Sequence, residues 1–117
     1  MKQRSDLQQR LSSAPDKDQQ ITSFALLCLG VIESLAVGTA TASGAVELFF
    51  HADNCLFVRK TLRRKAADEI MSRGVQLPDI FEALSAEEAQ QEFQRELAAM
   101  RSLGLKLLEP EEKPLAA

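Results

Sequence analysis

The sequence has no tryptophan and no tyrosine, and its six aromatic residues are all phenylalanine. The amphipathic rings that anchor many interfaces and stack on unpaired bases are therefore missing, which weighs against single-strand nucleic-acid binding. Histidine occurs once, at His51, and cysteine twice, at Cys28 and Cys55, with no CxxC pair or other metal spacing. Both thiols read as reduced, small apolar residues of a cytosolic protein. A large excess of either charge is also lacking. With 14 basic and 17 acidic residues the net charge is −3, so phosphate or anionic lipid would have to be bound by a local patch. No stretch alternates apolar with polar residues, and Val, Ile and Thr never cluster between turn signals, so no strand is expected.

What the chain does contain is helical periodicity. Its 117 residues, 45% hydrophobic and 26% charged, suit one soluble domain that buries about two-thirds of its unfolded surface. The organising stretch is Ile21 to Val37, in which Ile21, Phe24, Cys28, Ile32 and Leu35 recur at helical spacing. Phe24 to Leu29 is an unbroken apolar run, so this helix should be wrapped by its neighbours. Gly30, Glu33, Ser34, Gly38, Thr39 and Thr41 break the run as a membrane span. A secretory signal is disfavoured as well, because the preceding segment is long and mixes acids with bases. Asp16 or Asp18 can cap the helix start and Gly38 its end. Gly30 and Ser34 lie on one side, where a helix crossing is expected and a ligand cleft is the alternative.

The flanking segments follow similar logic. Residues 1–15 form a polar segment in which Leu7 and Leu11 allow a turn or two that should fray. Ser43 can cap a short helix through Val46, Leu48, Phe49 and Phe50. Asp53-Asn54 should break it, and Asn54 can cap the next helix. That third helix runs from Cys55 through Val58, Leu62, Ala66 and Ile70 to Gly74, read as its C′ residue, and Pro78 opens a new turn. Ser85 and Glu88 form a capping box for a last helix carrying Ala89, Phe93, Leu97 and Met100 on one stripe. The expected architecture is all-α: four to five helices around a central helix at about residues 16–37, a single domain over 16–108, and a disordered tail over 109–117.

Candidate chemistry is sparse. Glu47, His51 and Cys55 are four apart, and a continuous helix would set a carboxylate, an imidazole and a thiol on one face, as zinc binding or a small enzyme requires. The expected break after His51 and the want of a fourth ligand count against it, so no catalytic, metal or cofactor residue is assigned. The densest charge feature is Arg59, Lys60, Arg63, Arg64 and Lys65. Arg64 can pair with Asp68 and Lys65 with Glu69, which would make this a solvated helix face. As a functional surface it suits docking of an acidic protein partner, with nucleic acid as the second choice. Glu33 should mark an exposed edge or pair with an arginine of the basic helix.

Cys28-Leu29-Gly30, Ala45 with Leu48-Phe49-Phe50, and Ile70, Gly74, Leu77 and Asp79-Ile80 give the stretch from Phe24 to Leu84 a further character. It resembles a family of short bacterial proteins catalogued as a domain of unknown function. The resemblance implies a compact helical bacterial protein and carries no activity. The function expected is that of a small cytoplasmic protein-binding adaptor, regulator or immunity-type factor, without catalytic chemistry. An unidentified protein is the expected partner, self-association is compatible with the composition, and no membrane is expected.

Overall fold

A computed structural model describes residues 6–109. Among them run six α-helices and no strand: α1 (Asp6–Ser13), α2 (Lys17–Ala36), α3 (Ala42–Leu48), α4 (Ala52–Leu62), α5 (Lys65–Ala83) and α6 (Ala86–Leu108). The chain is thus the all-α bundle its periodicity predicts, with six helices in place of four to five. The expected tail lies outside the described residues from position 110 onward.

Three termini follow from local chemistry. The Asp16 carboxylate accepts the Gln19 amide at 2.9 Å and starts α2. Gly38, at φ +86°, stops it, its own amide donating to the Leu35 carbonyl while the Thr39 amide reaches that of Ser34. At α6 the Ser85 hydroxyl accepts the Glu88 amide at 3.3 Å. The Glu88 carboxylate takes the serine hydroxyl at 3.0 Å, where the sequence pattern predicts that it takes the serine amide.

Elsewhere tertiary packing overrides local signals. The Leu7–Leu11 turn does not fray: both leucines are buried in α1, which packs on α2 and α4, and Gln20 Nε2 donates to the Leu11 carbonyl. Thr41, not Ser43, caps α3, accepting the Gly44 amide at 2.9 Å. That helix ends at Leu48, and the amides of Phe49 and Phe50 both fall back on the Ala45 carbonyl. The Phe50 ring then meets Phe49 edge-on at 5.1 Å between centroids, and Phe49 stacks on Phe24 at 6.4 Å.

The expected long helix from Cys55 to Gly74 is instead two helices that meet at Arg63, and Gly74 is interior to α5, not its end. A Cβ on Gly74 would sit 2.3–2.5 Å from ring carbons of Phe50. The glycine is there to admit a phenylalanine from the α3–α4 turn, not to stop a helix. Pro78 likewise lies inside α5 and opens no new turn. Lacking an N–H, it leaves the Gly74 carbonyl without its usual helical donor.

α6 is the longest helix and lies between α2 and α5, while α4 touches α1, α2 and α5. Phe24, Phe50, Ile70, Met71, Leu97 and Met100 fill the space they enclose. Its apolar run predicts that α2 is wrapped all round, and it is not. Leu26 and Val37 are 57% and 62% exposed, with Gly30 and Glu33 between them on the outer side. Among the described residues the crossing expected at Gly30 is absent, since none lies within 4 Å of where its Cβ would be. α2 and α6 approach instead at Gly104, where a Cβ would come 3.1 Å from Leu29. Glu33 is the exposed edge that its charge predicts, and it pairs with Arg101 of α6 at 3.2 Å, not with the basic segment.

Candidate functional site

The five clustered cations lie at the corner where α4 gives way to α5. Arg59 and Lys60 occupy the last turn of α4, where cations complement the helix dipole. Arg63 turns the chain in the left-handed region, at φ 54° and ψ 42°. Arg64 is extended and immediately precedes α5, and Lys65 is that helix's first residue. All but the half-buried Arg64 are exposed.

This corner departs from three local preferences at once. A non-glycine residue in the left-handed region costs about 1 kcal/mol, and the sequence has arginine where glycine would relax. Arg64 stands at the N-cap of α5 with no side-chain acceptor for the free amides, where Ser, Thr, Asp or Asn would supply one. Lys65 sets a cation at the positive end of the helix dipole. What these departures share is positive charge. The intrahelical pairs Arg64–Asp68 and Lys65–Glu69 do not form. Glu69 pairs with Arg73 at 3.0 Å, and Arg73 reaches across to Glu96 of α6 at 2.9 Å. Among the described residues none of the five corner cations is ion-paired, whereas Arg73, Arg95 and Arg101 each hold a carboxylate.

Arg63→Gly therefore raises the unfolding free energy by about 0.5–1 kcal/mol, read as a higher urea midpoint at unchanged slope. Arg63→Ala, which keeps the Cβ, gives no such gain.

Beside Arg59 opens a cavity of about 230 Å³ lined by Cys55, Asp68, Met71, Ser72 and Val75. One carboxylate oxygen of Asp68, Oδ1, is shielded there without a hydrogen bond. The Cys55 thiol is directed at the Phe50 carbonyl, 3.8 Å away. Burial raises its pKa, the Arg59 charge opposes that shift and the Asp68 charge reinforces it. Cys28 is fully enclosed in α2, and burial raises its pKa strongly. Neither thiol is primed as a nucleophile. With a thiol-specific reagent at neutral pH the native protein exposes one reactive cysteine, Cys55, and Cys28 reacts only after denaturation. Labelling followed by peptide mass analysis checks this.

No family model, curated protein or solved structure matches this chain.

His51 and Glu47 do not share a helical face with Cys55. The helix breaks at Phe49–His51, ahead of the break expected at Asp53-Asn54, and leaves Glu47 on α3 and Cys55 on α4. His51, not Asn54, caps α4, its Nδ1 accepting the Asn54 amide at 3.3 Å. Asn54 is instead fully buried, its Nδ2 donating to the Phe49 carbonyl at 2.9 Å and its Oδ1 accepting from Gln8 of α1 at 3.1 Å. Among the described residues no three His, Cys, Asp or Glu side chains converge.

The cation cluster is legible in the sequence; the bend beneath it is not. No local signal marks it, because Lys65 follows Arg63-Arg64 with no capping residue and a helix that begins without a cap leaves no start to read. The shielded Asp68 oxygen had no sequence signal, because an aspartate four residues after an arginine reads as half of an ion pair.

Proposed function

We propose that this protein is a cytoplasmic, non-enzymatic binding protein, of adaptor, regulator or immunity type, that docks an acidic segment of a partner protein on the α4–α5 corner. The observation that carries the reading is that Arg59, Lys60, Arg63, Arg64 and Lys65 hold no carboxylate among the described residues, on a chain of net charge −3. Unpaired cations gathered on an otherwise acidic surface attract a complementary patch and set its orientation. The first amides of α5, with no side-chain cap, add donors for carboxylate oxygens at the same place. Strain retained at Arg63 fits a position held for its charge.

The test is capture by the tagged protein from nuclease-treated lysate of its source at near-physiological salt, run beside Arg59→Glu/Lys60→Glu/Arg63→Glu. The wild type retains a stoichiometric acidic polypeptide that the charge-reversed variant loses, and retention declines with added salt. A polypeptide held equally by both proteins overturns the assignment of the surface. Binding of purified duplex DNA by the wild type, with a salt slope that shrinks when Arg63 and Arg64 are neutralised, would replace the protein partner with nucleic acid.

A further inference from the structure

The outer side of α2 carries Leu26, Gly30, Glu33 and Val37; Gln9, Arg10 and Ser13 of α1 flank its Leu26 end, and no described residue covers the rest. α2 is the one described helix long and apolar enough to cross a membrane, yet only 33% of its most apolar window is buried. Gly30 is the oddest member. Gly74 and Gly104 admit a neighbouring side chain at close range, but a Cβ on Gly30 meets nothing within 4 Å. Among the described residues of a single copy, then, this glycine weakens the helix without making room for anything.

We infer that α2 is the axis of a symmetric homodimer, packed antiparallel on α2 of a second copy. The stripe is spaced four, three and four residues apart, so it reads the same from both ends. A two-fold axis between residues 31 and 32 sets Leu26 against Val37 of the second copy and Gly30 against Glu33 of the second copy, which is the self-matching that an isologous contact needs. The missing side chain at Gly30 then has a use: it lets the backbones close and leaves space for the opposing glutamate.

Charge supports the same occupant. Glu33 arrives already paired with Arg101, so the middle of the stripe bears one charge of each sign and meets its copy across the two-fold axis without net repulsion, while Arg10 of α1 stands beside Leu26 at the end of the stripe. That same pair, at the middle of the stripe, opposes burial in lipid. α2 spans about 30 Å, so a contact that takes in the flank of α6 about 10 Å to its side has a footprint of about 600 Å² per copy, the lower end of the range for specific interfaces. Leu105, half-exposed on α6, extends the apolar part.

The experiment uses the full-length chain with Cys55→Ser, leaving Cys28 enclosed. Sedimentation over about a hundredfold range of concentration reads the monomer–dimer equilibrium. Leu26→Cys and Val37→Cys proteins, mixed and treated with a disulfide oxidant, join position 26 of one copy to position 37 of the other. Leu26→Cys alone joins poorly to itself, because the antiparallel register holds the two positions about 16 Å apart along the axis. Gly30→Glu weakens dimerisation at least tenfold while the diluted monomer is at least as stable as the wild type, since position 30 is open among the described residues and glutamate is the better helix former. A chain that stays monomeric throughout, a dominant 26–26 link, or binding to phosphatidylcholine vesicles in place of self-association overturns the inference.

Discussion

Gly74→Ala, among the mildest substitutions by size, lowers the unfolding free energy by about 2 kcal/mol. Two effects oppose each other. Alanine gains about 1 kcal/mol of helix propensity over glycine in the interior of α5. The added methyl, however, would lie 2.3–2.5 Å from Cδ1, Cγ and Cε1 of Phe50, well inside contact distance. Phe50 is fully buried and braced edge-on by Phe49, so the ring cannot step aside without moving the α3–α4 turn. Overpacking of this kind costs about 3 kcal/mol and exceeds the propensity gain. Urea unfolding gives the number, and a double-mutant cycle gives its cause. Phe50→Ala alone costs about 3–5 kcal/mol through the void it leaves. Together the two changes cost at least about 1 kcal/mol less than their sum, because the methyl enters the vacated space. Gly74→Ala at wild-type stability or above would mean that Phe50 does not lie against α5.

The same glycine shows where sequence reasoning stopped. Ser72-Arg73-Gly74 followed by Pro78 has the local form of a helix end, and only the ring arriving from 24 residues earlier in the chain reveals a continuous helix. Signals set by neighbouring residues were readable: the Asp16 cap, the Gly38 stop, the Ser85–Glu88 box and the buried stripes of α2 and α6. Signals that depend on distant partners were not. Gly30, read as a helix crossing, is open, and Gly74, read as a helix end, is filled by a ring. Arg63 was legible as charge and illegible as a turn, because an arginine in the left-handed region contradicts its own propensity. Periodicity therefore carries most of the fold and charge density the candidate site, whereas the turn that shapes that site runs against the preferences of its own residues.

Asn54→Ala removes the polar tie between α1 and the start of α4, and it costs about 2–4 kcal/mol. The side chain is fully buried and makes bonds of two kinds, donating to the Phe49 carbonyl and accepting from Gln8. Truncation leaves that carbonyl desolvated and unpaired, and adds a small void. Gln8→Ala gives the comparison. It deletes one end of the same link but starts from a half-buried residue, so about 1 kcal/mol is lost. The two variants also differ in where the loss falls. Under native-state hydrogen exchange Gln8→Ala loosens α1 alone, whereas Asn54→Ala lowers protection in both α1 and the first turn of α4, whose amide at position 54 is capped by His51. Slow exchange in α1 of Asn54→Ala would show that Leu7 and Leu11 hold that helix without the polar tie. Loss of protection extending to Arg59 and beyond would show that the basic corner, at the far end of α4, depends on this buried amide for its position.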